Sequence, residues 1–386
     1  MDFLFFLGVL GWVAGVALFT LTGYSTVLFV LGSRPLAADP GVAPSSPKVT
    51  VVVSALRGGD AVRETLRRAD AIDYPGVELV LALGEGGTED QALGEGLADP
   101  LRVFVAGEQG GKAHTLNWAV PDAGGEFVLL LDEDSLVEPD CIKEMLPRAR
   151  GEDCWAVVGE PFSSNARSGV IQRTLDLESK AWARVARAKD RLGLFLPATG
   201  FFALVRRGSL PEGEAWDEEA LAEDTDLSLR QEARGMRVRL SGARVGIEAP
   251  SNLGDLARQR LRWYKGMFDA LWKNRGALSH LPLSERFDVA MSLLSPLAPG
   301  GFVVLLLLAP VWPWVLGPAV LGVLALYVLG AWVSSAGLEE GRAGVVFFSV
   351  PYAIIQGVVA LAALAAFLLH VRVSWRRTPK SGDRTS

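Results

Sequence analysis

From Phe3 to Leu31 the chain holds no charged residue, and nothing else in it restricts the possible folds so strongly. A helix of that length exceeds the roughly 20 residues needed to cross the hydrocarbon core of a bilayer, so it is expected to span, with some tilt. A cleavable signal peptide would need a basic leading region and an apolar run of only about 7 to 15 residues. Neither is present, and the segment is read as a retained anchor with an outside N-terminus.

Two more apolar regions follow later in the chain. Residues Val289 to Val333 are uncharged and long enough for two passes, with PVWPWVLGP (Pro310 to Pro318) breaking the helix between them. A hairpin is expected there. Residues Ala343 to Val371 are interrupted only by Gln356 and His370, and are followed by Arg372, Arg376, Arg377, Lys380 and Arg384. Basic residues flanking a span favour the cytosolic side, so the tail is expected inside. This raises a parity problem, because one anchor plus three full crossings would put the tail outside. Either the stretch from Val289 to Pro310 lies along the interface, or the last region, with Pro351 and Gln356, re-enters.

Composition agrees with a membrane setting and removes other classes. Half the residues are hydrophobic and the mean hydropathy is +0.27, too apolar for an ordinary soluble enzyme. A net charge of -6, with no basic block before the C-terminus, argues against a nucleic-acid partner. Cys141 and Cys154 match neither a zinc pair nor a disulfide framework and read as small buried hydrophobes. The histidines at 114, 280 and 370 have no ligand-spaced partner. Any metal must therefore be held by carboxylates.

Between the apolar ends, the segment SRPLAADPGVAPSSP (Ser33 to Pro47) reads as a linker. Apolar strand-type runs then alternate with helical patterns: Val49 to Ser54, Val77 to Leu83, Leu101 to Ala106 and Glu126 to Asp132. Such alternation predicts an α/β fold with a mostly parallel sheet covered on both faces. The expected layout is an anchor at 1–32, a linker at 33–47, an α/β domain at 48–286, transmembrane or interfacial helices at 287–371, and a basic tail at 372–386.

Four motifs concentrate the chemistry. In EFVLLLDEDS a buried strand ends in Asp132, Glu133 and Asp134. Ligands bind at strand C-termini in open α/β sheets, and alternate residues of an extended chain share a face. Asp132 and Asp134 can thus share one target, with oxygen ligands that suit Mg2+ or Mn2+ completed by substrate phosphate. A solvated turn is the plain alternative. In EQGGKAH, Gly110 and Gly111 permit close backbone approach and Lys112 offers a point charge to a phosphate. Gly-Gly-Lys turns are also common at loop tips.

In LAEDTDLSLR, Glu223, Asp224 and Asp226 precede a helix, where the helix dipole alone would favour them. A carboxylate there can also act as general base toward an acceptor hydroxyl. In LARQRLRWYKG, Gln259, Arg262 and Trp263 share one helical face. The amide, guanidinium and indole together suit a sugar diphosphate, although an interfacial helix would use the same residues.

In this order, the four motifs resemble the family 2 glycosyltransferases, specifically the membrane-integrated branch that includes cellulose, chitin, hyaluronan and poly-N-acetylglucosamine synthases. The resemblance runs from about Val49 to Gly266 and extends to the membrane layout. It implies a GT-A fold in which Asp132 and Asp134 bind metal and donor diphosphate, Lys112 contacts the diphosphate, and Asp224 is the base beside Glu223. Gln259, Arg262 and Trp263 would close the donor and acceptor pocket.

ATGFFALVRR resembles the acceptor-lining segment, which brings in Thr199 and Gly200. The tail WRRTPKSG resembles a gating loop, with Trp375, Thr378 and Lys380 over the nucleotide, unless it only sets topology. The chain departs from the family near the nucleoside. There LALGEGGTED replaces a DDGS-like run, leaving Glu85, Glu89 or Asp90 as substitutes. ALRGGD replaces a YNE-like segment, leaving Asp60, and Ala222 stands where threonine is usual.

The expected activity is inverting, metal-dependent transfer of a sugar from a nucleotide sugar, read as a UDP-sugar. The acceptor is a membrane-associated polysaccharide or, alternatively, a lipid. The enzyme is expected in the cell membrane as a multi-pass protein with its catalytic domain cytosolic. A catalytically silent membrane scaffold is the rival of a different class; it would have no need of buried like charges at a strand end.

Overall fold

The structure, a computed structural model, describes residues 3–36, 46–56, 59–84, 101–105, 111–335, 338 and 341–373. Glu85, Glu89, Asp90, Gly110, Trp375, Thr378 and Lys380 lie outside the described residues, as does most of the linker.

The apolar runs become strands, as their composition requires. Strands β1 (Val49–Ala55), β2 (Val77–Leu83), β3 (Leu101–Val105) and β4 (Phe127–Asp132) are followed by β5 (Leu136–Val137), β6 (Cys154–Ser163), β7 (Phe202–Arg206) and β8 (Arg237–Ile247). Their order in one sheet is β3-β2-β1-β4-β7-β6-β8-β5. The first four pair in parallel, β7 runs antiparallel to β4 and β6, and β6 pairs in parallel with β8. The expected α/β class holds, and β7 and β5 supply its antiparallel part.

Every residue of β1 is buried, which is the consequence of helices on both faces. One core joins Val49, Val51 and Val53 to Val62 and Leu66 of α2 (Asp60–Asp70). The opposite core joins Val52 to Ala113 and Leu116 of α3 (Lys112–Ala119). Burying each such valine or leucine is worth roughly 1.5–3 kcal/mol. The register Ser54↔Asp132 places the C-terminal ends of β1 and β4 side by side. Cys141, in the short helix α4 (Cys141–Met145), and Cys154 are free and buried, and burial pushes their thiols up to about 12 and about 11.

The long amphipathic helix α5 (Val170–Leu192) and α6 (Glu223–Ala233) flank the sheet, and α7 (Leu253–Leu278) follows β8. Asn252 caps α7 by accepting from the Asp255 amide at 2.9 Å. The remaining helices are α1 (Phe3–Leu31), α8 (Leu283–Leu294), α9 (Leu297–Leu308), α10 (Pro313–Ser334) and α11 (Arg342–Leu368). Helices α1 and α11 are long and apolar enough to cross a membrane, and α8 and α9 form a pair bent by 60°. Helix α1 runs antiparallel to α9: Gly8 faces Trp312, Gly11 faces Leu308, and Gly301 sits against Ala14 and Leu18.

Candidate active site

The site forms where β1 and β4 end. Asp132 closes β4, and its carboxylate is bonded by the ammonium of Lys112, the first residue of α3. Lys112 also donates to the Gly200 carbonyl at 2.8 Å and stands 3.9 Å from Glu223. The Gly200 amide in turn donates to Asp224 Oδ2 at 3.1 Å, while Thr225 N donates to Asp224 Oδ1 at 2.7 Å. Thr199, Gly200 and Asp224 line one narrow cleft with Trp216. Three separated sequence motifs thus meet around one ammonium group.

Electrostatics adds the fourth. Burial lowers the pKa of the Arg262 guanidinium, and the carboxylates of Glu223, Asp224 and Asp132 pull the other way. Burial also opposes the charge on Lys112, but Asp132 and Glu223 outweigh it and hold its pKa above the usual lysine value. Burial and then the charge of Asp224 push Glu223 up to about 7 against the attraction of Lys112. Two cations thus face three carboxylates, and such a cluster of charges at a strand end marks a candidate site.

Several expectations need correction in detail. The strand alternation that was to align Asp132 with Asp134 stops at Asp132, since Glu133 and Asp134 lie in a turn. That turn is closed by Ser135, whose amide donates to the Asp132 carbonyl at 3.1 Å and whose hydroxyl accepts from the Asp132 amide at 3.1 Å. Asp134 instead reaches the loop after β8, accepting from the Glu248 amide at 3.0 Å. Gly111 has φ -82, open to any residue, and no described residue crowds it. At Gly200 a Cβ would sit 2.7 Å from Lys112 Nζ, so a larger residue there would displace the ammonium.

Asp226 is structural: it is 1% exposed and held by Arg230 at 3.0 Å, Lys273 at 3.1 Å and Asn274 at 2.9 Å. Asp60 lies in the first turn of α2, 73% exposed and paired with Arg63. Gln259 is half-buried one turn before Arg262. Trp263 packs toward α11, with Ala360 and Ala363, beneath the Arg260 guanidinium at 4.7 Å. His114 of α3 stands 3.0 Å from Glu218.

Ser54 and Ser135 were missed. Ser54 Oγ donates to Asp132 Oδ1 at 3.4 Å, and Ser135 Oγ donates to the Phe201 carbonyl at 2.7 Å, tying the metal-type turn to the Gly200 loop. The serine within DEDS, a residue type favoured in turns, was the available signal.

The oxygen-only donors Asp132 and Asp134 suit a hard divalent cation. Among the described residues no group of three or more His, Cys, Asp or Glu side chains stands together as a metal centre. An ion here would therefore complete its shell from phosphate and water, as Mg2+ commonly does.

The fold is similar to that of the mannosyltransferase PcManGT from Pyrobaculum calidifontis, solved in complex with GDP-Man and Mn2+. The TM-score is 0.65, with 95% of this chain and 100% of that chain covered at 18% identity. The architecture is that of the GT-A class. Residues 47–266 match the family model described as "Glycosyltransferase like family 2", and the chain belongs to that family.

Among curated relatives, the poly-beta-1,6-N-acetyl-D-glucosamine synthase of Staphylococcus aureus (strain MSSA476) is 26% identical over 236 residues. The enzyme of the same name from Staphylococcus epidermidis is 23% identical over 232 residues. Each match takes in 58% of this chain and 56% of the relative, so the chain spans about half the length of the curated relatives it matches.

Proposed function

We propose that this protein is an inverting membrane glycosyltransferase that moves a sugar from a UDP-sugar to a membrane-associated polysaccharide. The observation that supports this reading most directly is the clustering of Lys112, Asp132, Glu223, Asp224 and Arg262 at the ends of β1 and β4. The names of the Staphylococcus relatives favour N-acetylglucosamine as the sugar and a polymer as the product.

In this mechanism Asp224 takes the proton of the acceptor hydroxyl. Its second oxygen is already fixed by the Thr225 amide, so the carboxylate is oriented before substrate arrives. The acceptor oxygen attacks the anomeric carbon from the face opposite the nucleotide. Lys112 and Arg262 stabilise the charge that gathers on the departing diphosphate. Asp132 is the residue that would hold Mg2+ or Mn2+, joined by Asp134 once that side chain turns from the Glu248 amide, and the ion would supply Lewis-acid charge at the diphosphate. Lys112 then leaves Asp132 for the phosphate, exchanging one anion for another.

A lipid acceptor is the second reading. It is favoured by the packing of Trp263 against α11, which sets the site beside apolar helices. Product size after incubation with labelled donor separates the two.

Asp224→Asn should lower sugar transfer by at least about 10²-fold, within the range general base catalysis supplies, while donor affinity changes little. Nucleotide release and donor binding by calorimetry check this, and wild-type turnover in that variant would remove Asp224 from the mechanism.

A further inference from the structure

Helix α11 passes every test of length and composition for a membrane span, yet its neighbours are not those of a crossing helix. It has 27 residues, about 40 Å at 1.5 Å per residue, against a hydrocarbon core of about 30 Å. If it crossed, its two ends would face opposite sides of the bilayer. Both ends instead lie against helices that cover the same sheet.

At the N-terminal end, Gly341 lies directly against the Arg173 side chain of α5. A Cβ on Gly344 would touch Val170 of α5 at 3.8 Å. One third of the way along, the Tyr352 hydroxyl donates to Glu178 of α5, which also accepts from Arg260 of α7 at 2.9 Å. Near the middle, the Tyr264 hydroxyl of α7 donates to Gln356 at 2.5 Å. At the C-terminal end, the ring of Phe367 meets Phe268 at 6.2 Å and Trp272 at 6.4 Å. There Phe367, Leu368 and Val371 share a groove with Asp217 and Leu221 of the loop before α6.

Residues 260, 264, 268 and 272 of α7 therefore run alongside 352, 356 and 367 of α11. Helix α7 carries Arg258, Arg260, Arg262, Lys265, Asp269 and Lys273, more than one charge per turn. A helix of that kind cannot enter the hydrocarbon, where each charge at the centre costs about 2.5–3.5 kcal/mol even on the lowest scale. Its side-by-side partner is held at the same depth.

The remaining contacts agree. Helix α11 meets α9 at Pro299, Gly300 and Val303, near the bend to α8, whereas the far end of α9 packs on Gly11 of α1. The far end of α1 has its own partner in Trp312, and the near end meets α5, where Arg184 stacks on Phe29 at 4.8 Å.

We infer that α11 lies in the plane of the membrane surface beneath α5 and α7, on the side of the sheet domain, with its outward stripe in contact with lipid. That stripe includes Phe347 (82% exposed), Val358 (52%) and Leu368 (61%), and its opposite face is buried at Val345, Ser349, Ala353, Gln356, Ala360 and Ala363. The lipid assignment follows from continuity with the apolar α1–α9 pair, on which α11 rests. The parity problem is then solved: α1 crosses once, the bent α8–α9 pair and α10 form a hairpin, and α11 stays on the side of the active site with the basic residues that follow it.

Two measurements test this. Single cysteines are placed at the ends, Ala343→Cys and Val371→Cys, with Arg67→Cys in α2 as reporter for the side of the sheet domain. The native thiols at 141 and 154 are buried, so background is low. In sealed vesicles a membrane-impermeant maleimide should label both ends from the same side as the reporter. Labelling of either end from the opposite side would overturn the proposal.

Fluorophores on Phe347→Cys, Val358→Cys and Leu368→Cys, quenched by lipids carrying nitroxides at shallow or deep positions, should all report the same shallow depth. A crossing helix would separate the first two by about 16 Å in depth, and such a gradient would overturn the in-plane assignment. Absence of quenching at all three would overturn the lipid assignment, since protein would then cover the stripe. Melting temperatures close to the parent's confirm that each variant is folded.

Discussion

Glu223 sits 3.9 Å from an ammonium group and still has its carboxyl pushed up to about 7. Desolvation exceeds the attraction of Lys112, and the neighbouring Asp224 adds repulsion. A carboxyl whose pKa is higher in the folded than in the unfolded chain costs stability once it ionises. The penalty is absent below the unfolded value of 4.5 and complete above about 7. Glu223→Gln should therefore melt higher than the parent at pH 8, with the gain shrinking as the pH is lowered toward 5. Thermal unfolding of the ligand-free protein across that range measures it, and a gain that does not vary with pH would place its origin elsewhere.

At the scale of elements, α7 joins the site to the apolar helices. Its Arg262 faces the acids, its Trp263 faces α11, and its Gly266 lies against the loop that leads into Glu223 and Asp224. A Cβ on Gly266 would come within 2.8 Å of the Ala222 Cβ and 3.0 Å of the Ala222 amide. Gly266→Ala must push α7 and that loop apart, at a cost of about 1–3 kcal/mol. Transfer should fall further than stability, by about 10²-fold, because small displacements of catalytic groups are that expensive. Comparing the turnover number with the melting temperature of this variant separates the two effects.

Across the whole molecule, one buried network fastens the apolar helices to the sheet domain. Asp288 of α8 is bonded by Tyr24 of α1 and accepts from Lys189 of α5 at 2.7 Å and from the Phe195 amide at 2.6 Å. Both charged residues are nearly inaccessible. Removing either partner strands the other, at about 3–5 kcal/mol. Lys189→Met and Asp288→Leu should each be strongly destabilising in detergent, and the double variant should lose clearly less than the sum. Strict additivity would mean that the pair has no mutual energy.

Much of this was legible in the sequence. Continuous apolar runs fixed β1, β2 and β4 to within a residue, because a strand buried on both faces has no other composition open to it, and the edge strand β3 was marked as closely although Arg102 and Val105 are exposed. The span of α1 and the order of the four motifs were equally readable, since both depend on local residue type. Other features depend on residues far apart in the chain. That Gly200 lies against an ammonium follows from where Lys112 comes to rest, and Ser135 matters because Phe201 lies opposite it. The depth of α11 was beyond any hydropathy profile: composition states that a helix prefers lipid, but only its neighbours state whether it passes through the bilayer or lies along it.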